Sequence, residues 1–172
     1  MVNTDVLVIG CGPAGLTAAL ALARLGVQVV AITKHQQLSP TPRAHFTNQR
    51  SVEILRDLGL EEQMMALATP YTKMPDLLFM RSLTGVEFAR MTGLGVNDPH
   101  NSEASPCALA DLPQNLLEPL LFQAALKAGA QLRFSTELLS FTQSANGVNA
   151  ILHDRATGEN VFGNFCAIRK FC

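Results

Sequence analysis

The sequence predicts an α/β fold in which a β–α–β unit opens a parallel sheet and an antiparallel β-meander follows it. Three observations carry this. A short apolar run, Asp5–Gly10, leads into an Ala- and Leu-rich stretch, Pro13–Leu25, and then into a β-branched run, Val27–Thr33. The junction between the first two is Gly10-Cys11-Gly12-Pro13-Ala14-Gly15, a G-x-G-x-x-G turn. Late in the chain, three further apolar runs are separated by Asn146-Gly147 and Ala156-Thr157-Gly158.

Each element has a physical reason. Continuous apolar runs of this length suit strands buried on both faces. Pro13–Leu25 combines good helix formers with a glycine stop at Gly26. A right-handed crossover joins the two strands. Gln37–Pro42 is a polar loop bearing proline. Asn48–Leu58 has helical spacing, with Val52, Leu55 and Leu58 on one side and Gly59 as its stop. Residues 61–68 suggest a short helix. Leu77–Met80 and Val86–Met91 read as strands, and Gly93–Ser105 as a loop. Asp111 is the expected N-cap, with Pro113 in the first turn, of a helix reaching about Ala128. Pro119 is expected to kink or split that helix. Gln131–Ser135 reads as a third parallel strand, giving the order 3-2-1. Leu138–Gln143, Val148–His153 and Asn160–Ile168 form the meander, because Asn-Gly between apolar runs is a strong hairpin signal.

The glycine turn carries the first functional implication. Gly10 permits a tight turn, Gly12 lets backbone approach a pyrophosphate, and Gly15 lets helix and strand pack closely. The anion then sits at the positive end of the helix, with Pro13 and Ala14 in its first turn. An acid is the usual ribose ligand at the end of the second strand. Here Thr33 and Lys34 stand there, some 23 residues after Gly10. A threonine makes a weaker contact than a carboxylate, and Lys34 suits a 2′-phosphate, so FAD and NADP both remain open at this point.

Composition narrows the rest. The 172 residues suffice for one domain, with 48% hydrophobic and 16% charged residues and a net charge of −1. That balance gives no reason to expect nucleic acid or an anionic membrane surface as partner. Cys11, Cys107, Cys166 and Cys172 form no C-x-x-C, and no His lies at metal-ligand spacing, so no metal site is expected and the thiols read as free. The N-terminus has an acid, Asp5, and glycine breaks where a signal peptide needs a basic, unbroken segment. No run approaches the roughly 18 apolar residues of a membrane span. The cytoplasm is the expected location.

Two longer blocks decide between the nucleotides. Pro42-Arg43-Ala44-His45-Phe46-Thr47-Asn48-Gln49-Arg50, continuing to Gly59, resembles the class A flavoprotein aromatic monooxygenases of the para-hydroxybenzoate hydroxylase type. It is most similar to their phenol hydroxylase and chlorophenol monooxygenase branch. The segment from Ser105 to Leu121, with Leu112-Pro113-Gln114, resembles a second block of that branch. The likeness runs from about residue 4 to 155. It implies a Rossmann-like FAD-binding fold, with Gly10, Gly12 and Gly15 at the FAD pyrophosphate and Thr33 and Lys34 at the adenosine ribose. It further implies Arg43 at the flavin phosphate or ribityl region, and Gln114 at the ribityl chain or flavin edge, both facing one cleft. His45, Asn48 and Gln49 lie beside Arg43 without an assigned role, no catalytic residue is assigned, and His100 and His153 read as surface residues. In the intact family NADPH or NADH reduces FAD, and a small phenolic or other aromatic substrate is hydroxylated.

Members of that family are longer. Their later Asp-Gly and Gly-Asp motifs and their substrate segments do not occur in this chain, and residues 158–172 diverge from the pattern. The expectation is therefore an incomplete FAD-binding domain over residues 1–172, with the strand beside the first one missing and an apolar sheet edge exposed. Such a chain alone is not expected to hydroxylate a phenol. Two other readings stand beside this one: a non-catalytic remnant with weak or no nucleotide binding, and an NADP-dependent reductase using Thr33 and Lys34.

Overall fold

The computed structural model describes residues 2–70, 73, 76–92 and 103–171. Most of the Gly93–Ser105 loop, His100 and Cys172 lie outside the described residues. The chain divides into two compact units, residues 1–42 with 114–172, and residues 43–113.

The first unit is built on a six-stranded sheet. Its strands are β1 (Val2–Ile9), β2 (Val29–Ile32), β7 (Gln131–Arg133), β8 (Thr136–Ser144), β9 (Gly147–Asp154) and β10 (Asn160–Lys170), in the order β7-β2-β1-β10-β9-β8. The pairs β7–β2, β2–β1 and β1–β10 are parallel, whereas β10–β9 and β9–β8 are antiparallel. The expected 3-2-1 order and the meander are both present. All four β2 residues are buried, as a strand covered on both faces requires. Helix α1 (Pro13–Arg24) turns Leu16, Ala19 and Leu20 inward and packs on β1, β2 and helix α4 (Gln114–Lys127). The core of the sheet joins Leu7, Val30 and Ile32 to Ala150, Leu152 and Phe165.

The expected bare flank beside β1 is not there. β10 is 11 residues long and serves two neighbours. Its first half pairs with β9, from Asn160↔His153 to Phe165↔Val148. The strand then runs on along β1, from Val2↔Gly163 to Ile9↔Lys170. The segment expected to diverge thus satisfies the backbone groups of β1, and Phe165, 1% exposed, closes the core there. Exposed apolar side chains fall elsewhere on the meander, at Leu139, Phe141 and Phe162.

Helix α4 corrects the expected N-cap and excludes a split at Pro119. It begins at Gln114, and Asp111 lies in a two-residue strand rather than at its N-cap. Pro119 sits inside an uninterrupted helix. Its missing N–H removes one bond, to the carbonyl four residues earlier, and the packed face of Leu117, Leu121 and Ala125 holds the segment helical.

In the second unit, Asn48 caps α2 (Gln49–Asp57), its Oδ1 accepting from Ser51 N at 2.9 Å, and Gly59 ends the turn at φ +71°. Helix α3 (Glu61–Leu67) follows, and β4 (Asp76–Met80) pairs with β5 (Glu87–Thr92) as a hairpin. Strand β3 (Phe46–Thr47) pairs with β6 (Ala110–Asp111). Around this bridge the two family-like blocks meet. Gln49 Nε2 donates to Cys107 O at 3.0 Å, Ser105 Oγ donates to Glu53 Oε1 at 2.6 Å, and Arg56 lies 3.5 Å from Pro106 O. The Ser105 hydroxyl, with Arg50, holds the Glu53 carboxyl below its usual range.

Phe165→Ala should lower stability by about 3–5 kcal/mol in urea denaturation, the cost of emptying a large aromatic site. The Phe171 amide, which donates to Ile9 O, and the alternate β10 amides that face β1 should exchange slowly in deuterium oxide. Rapid exchange there would refute the pairing of β10 with β1.

Candidate functional site

The parallel strands end together where β1 gives way to α1, the usual ligand end of an open α/β sheet. Gly10 N donates to Ile32 O at 2.8 Å, which ties the turn to the end of β2. Gly10 adopts φ +109°, and a Cβ there would lie 2.4 Å from Phe171 O. The residue must be glycine on both counts. At Gly15 the constraint is proximity alone, since a Cβ would sit 1.9 Å from Gly10 O and 3.5 Å from Val8 Cγ1. Gly12 differs: its φ of −79° suits any residue, and a Cβ would meet only Glu118 Oε1, at 3.8 Å. Gly12 therefore keeps a space open rather than relieving strain.

Helix α1 starts without a side-chain cap and without an acid in its first turn. Pro13 has no N–H to lose, and the amides of Ala14 and Gly15 are orphan donors of the helix start. Orphan donors around an open cradle, at the positive end of a helix, fit a pyrophosphate. Thr33 continues β2 at the same end. Its N–H donates to Arg133 O at 2.9 Å, and its hydroxyl lies 3.4 Å from His35 N. Lys34 is exposed beside it, its carbonyl 3.5 Å from Arg155 Nη1.

Glu118 was not singled out by sequence reasoning. It is 2% exposed, and both oxygens are used. Ser39 N donates to Oε2 at 2.9 Å, and Gln114 Nε2 donates to Oε1. The spacing of Gln114 and Glu118, i and i+4 on one helix face, was the available signal. Beside the turn, burial first and Glu118 second push the Cys11 thiol up to about 12.

Arg43 opens the second unit and is exposed. The side chains near it have local work. Asn48 caps α2, Gln49 holds Cys107 O, and His45 Nδ1 lies 3.4 Å from Asp111 Oδ1. His153 is half-buried, with Nδ1 2.9 Å from Asn160 Oδ1. Among the described residues no cluster of three or more His, Cys, Asp or Glu could hold a metal, and no helix is long and apolar enough to cross a membrane.

A family model described as the FAD binding domain matches residues 3–163. The chain is 47% identical over 161 residues to a 2,4-dichlorophenol 6-monooxygenase of Cupriavidus pinatubonensis, covering 92% of this chain and 27% of that protein. It is 43% identical over 162 residues to a phenol 2-monooxygenase of a Pseudomonas species, with the same coverage of each. Its fold matches the crystal structure of the flavin-dependent monooxygenase PieE in complex with FAD and substrate, with a TM-score of 0.90 and 42% identity over 97% of this chain and 30% of that one. A ternary complex of aklavinone-11 hydroxylase with FAD and aklavinone matches with a TM-score of 0.85 and 32% identity, over 96% of this chain and 32% of that one. The chain thus spans about 27–32% of the length of these relatives.

The turn separates its glycines experimentally. Gly12→Ala should leave the thermal midpoint within a few degrees of the parent, whereas Gly15→Ala should lower it by well over 10 °C or prevent folding. Equal effects would contradict the geometry. Cys11 should resist thiol reagents at pH 8 until denaturant is added, while exposed Cys166 reacts at once. Because the folded thiol holds its proton to about 12 against 9.0 when free, stability should fall as pH rises above 9. Cys11→Ala should flatten that fall.

Proposed function

The chain belongs to the FAD binding domain family, and from that premise we propose that Gly10, Gly12, Pro13, Ala14 and Gly15 hold the FAD pyrophosphate. The observation that carries this is the open cradle at Gly12, set among orphan amides that leave the helix start without a cap. In this reading Thr33 contacts the adenosine ribose through its hydroxyl, and Lys34 lies along the same edge. Arg43 reaches the phosphate or ribityl region with its guanidinium. Gln114 faces the ribityl chain or the flavin edge.

Bound FAD would supply the redox and oxygen chemistry, which no side chain can perform. The chain's own contribution is to bind and orient. Ala14 and Gly15 donate to phosphate oxygens, Gly10 and Gly15 let the helix start come close, and Gln114 presents polar atoms to the ligand. The relatives named above support a wider proposal for the whole protein. It is an NAD(P)H-dependent monooxygenase that hydroxylates a phenolic or related aromatic small molecule, working in the cytoplasm where reduced nicotinamide is available.

The test is the purified chain mixed with FAD, followed by gel filtration and absorbance near 450 nm. Flavin should co-elute with the protein. Gly12→Val should abolish it while leaving the circular dichroism spectrum unchanged, and Arg43→Ala should weaken it by about ten- to a hundredfold, the size of one hydrogen bond to a charged group. Nicotinamide binding without flavin would favour the reductase reading, and binding of neither would favour the remnant.

A further inference from the structure

We propose that Glu118 is a positioning residue for the flavin-side ligand contact, setting which atoms of the Gln114 amide face the ligand. The inference rests on the reading of Gln114 given above. Glu118 is buried to 2% exposure in α4, where an unpartnered carboxylate would be costly. Its two oxygens are divided between two segments. Oε2 accepts from Ser39 N, 2.9 Å away in the loop after β2, and Oε1 accepts from Gln114 Nε2 one helical turn earlier. Oε1 also stands 3.8 Å from the position of a Cβ on Gly12. Glu118 therefore links the loop after β2, the first turn of α4 and the edge of the phosphate cradle.

The chemistry of the amide supplies the rest. A carboxylate only accepts, so the atom of Gln114 that faces it is the NH2 group. The carbonyl Oε1 lies on the other side of the amide carbon and is left for another partner. A ribityl chain carries hydroxyl donors, which suit a carbonyl acceptor. Glu118 thus makes Gln114 an acceptor toward the ligand, although Gln114 by itself could present either end.

Exchange of the two residue types tests this. In Glu118→Gln, the new carbonyl still accepts from Ser39 N, but the new NH2 group calls for an acceptor at position 114. Gln114 then turns its carbonyl inward and offers NH2 to the ligand. The double variant Q114E/E118Q restores an acceptor on the ligand side. Affinities for FAD and for ADP, which lacks the ribityl chain, are measured by calorimetry on the full chain and its variants. Glu118→Gln should weaken FAD by about three- to tenfold, the size of one net hydrogen bond, with ADP changed less than twofold. The double variant should return FAD to within about twofold of the parent. Equal weakening of ADP and FAD in Glu118→Gln would show that Glu118 merely holds the cradle together, and would overturn the proposal. So would a double variant that stays weak. If the single variant does not fold, the double variant alone decides by the same criterion. Gln114→Ala separates the two levels of inference. Weakened FAD there with unaltered FAD in Glu118→Gln removes only the positioning role, whereas unaltered FAD in Gln114→Ala removes the ligand role of Gln114 as well. Absence of flavin binding by the parent chain would sink both.

Discussion

A close backbone approach between Gly15 and Gly10 governs the rest of the first unit's architecture. The start of α1 presses on the end of β1 so tightly that Gly15 and the Gly10 carbonyl leave no room for a methyl group. That approach sets where α1 lies on the sheet and brings its orphan amides to the strand ends. It also gives α4 a surface to pack on, since α1 and α4 lie against each other. Packing of this kind tolerates no intermediate size: the helix sits close with glycine or is pushed away with anything larger. The approach that brings the orphan amides to the strand ends therefore also holds the helix layer in place, while Gly12 alone is free of a packing duty.

β10 completes the sheet from the other side. A strand that is antiparallel to one neighbour and parallel to the other joins the meander to the β–α–β unit without a separate crossover. Phe171 N donates to Ile9 O at 2.8 Å, so β10 ends against the glycine turn itself. The carbonyl of Phe171 is what makes Gly10 sterically obligatory, beyond its positive φ. The glycine turn is thus flanked by α1, by the end of β2 and by Phe171 after β10, all within one unit.

Most of the sheet was legible because buried strands are written as apolar runs and their hairpins as turn residues. The glycine turn was legible because its G-x-G-x-x-G spacing, set between an apolar run and a helix-forming stretch, is itself a pattern in the sequence. What escaped reading did so for identifiable reasons. β3 and β6 are two residues each, too short to show periodicity. Asp111 before a proline looks like a helix cap, but cross-strand pairing with Phe46 claims its backbone. The run ending in Arg169 and Lys170 is too polar at its close to announce a strand lying beside β1. Glu118 resembles a solvent-facing helix carboxylate, and only the packing of α4 on α1, together with the Ser39 amide, makes it a buried acceptor. Local pattern reports what a residue prefers; burial by a distant segment has to be read from the fold.

The register of β1 with β10 has a consequence for how the chain is made. Val2 waits for Gly163, and Ile9 for Lys170. At 5–20 residues per second, a ribosome needs on the order of ten to thirty seconds to deliver that partner after β1 has emerged. During this interval the β–α–β unit can assemble from contacts close in sequence, but one edge of its first strand has no mate. The final closure joins segments far apart in sequence and carries the loop-closure entropy and slow search of a long-range pairing. The nascent protein therefore passes through a stage in which its first, largely apolar strand is a templating edge, the kind of surface that chaperones shield and that neighbouring nascent chains on a polysome can capture.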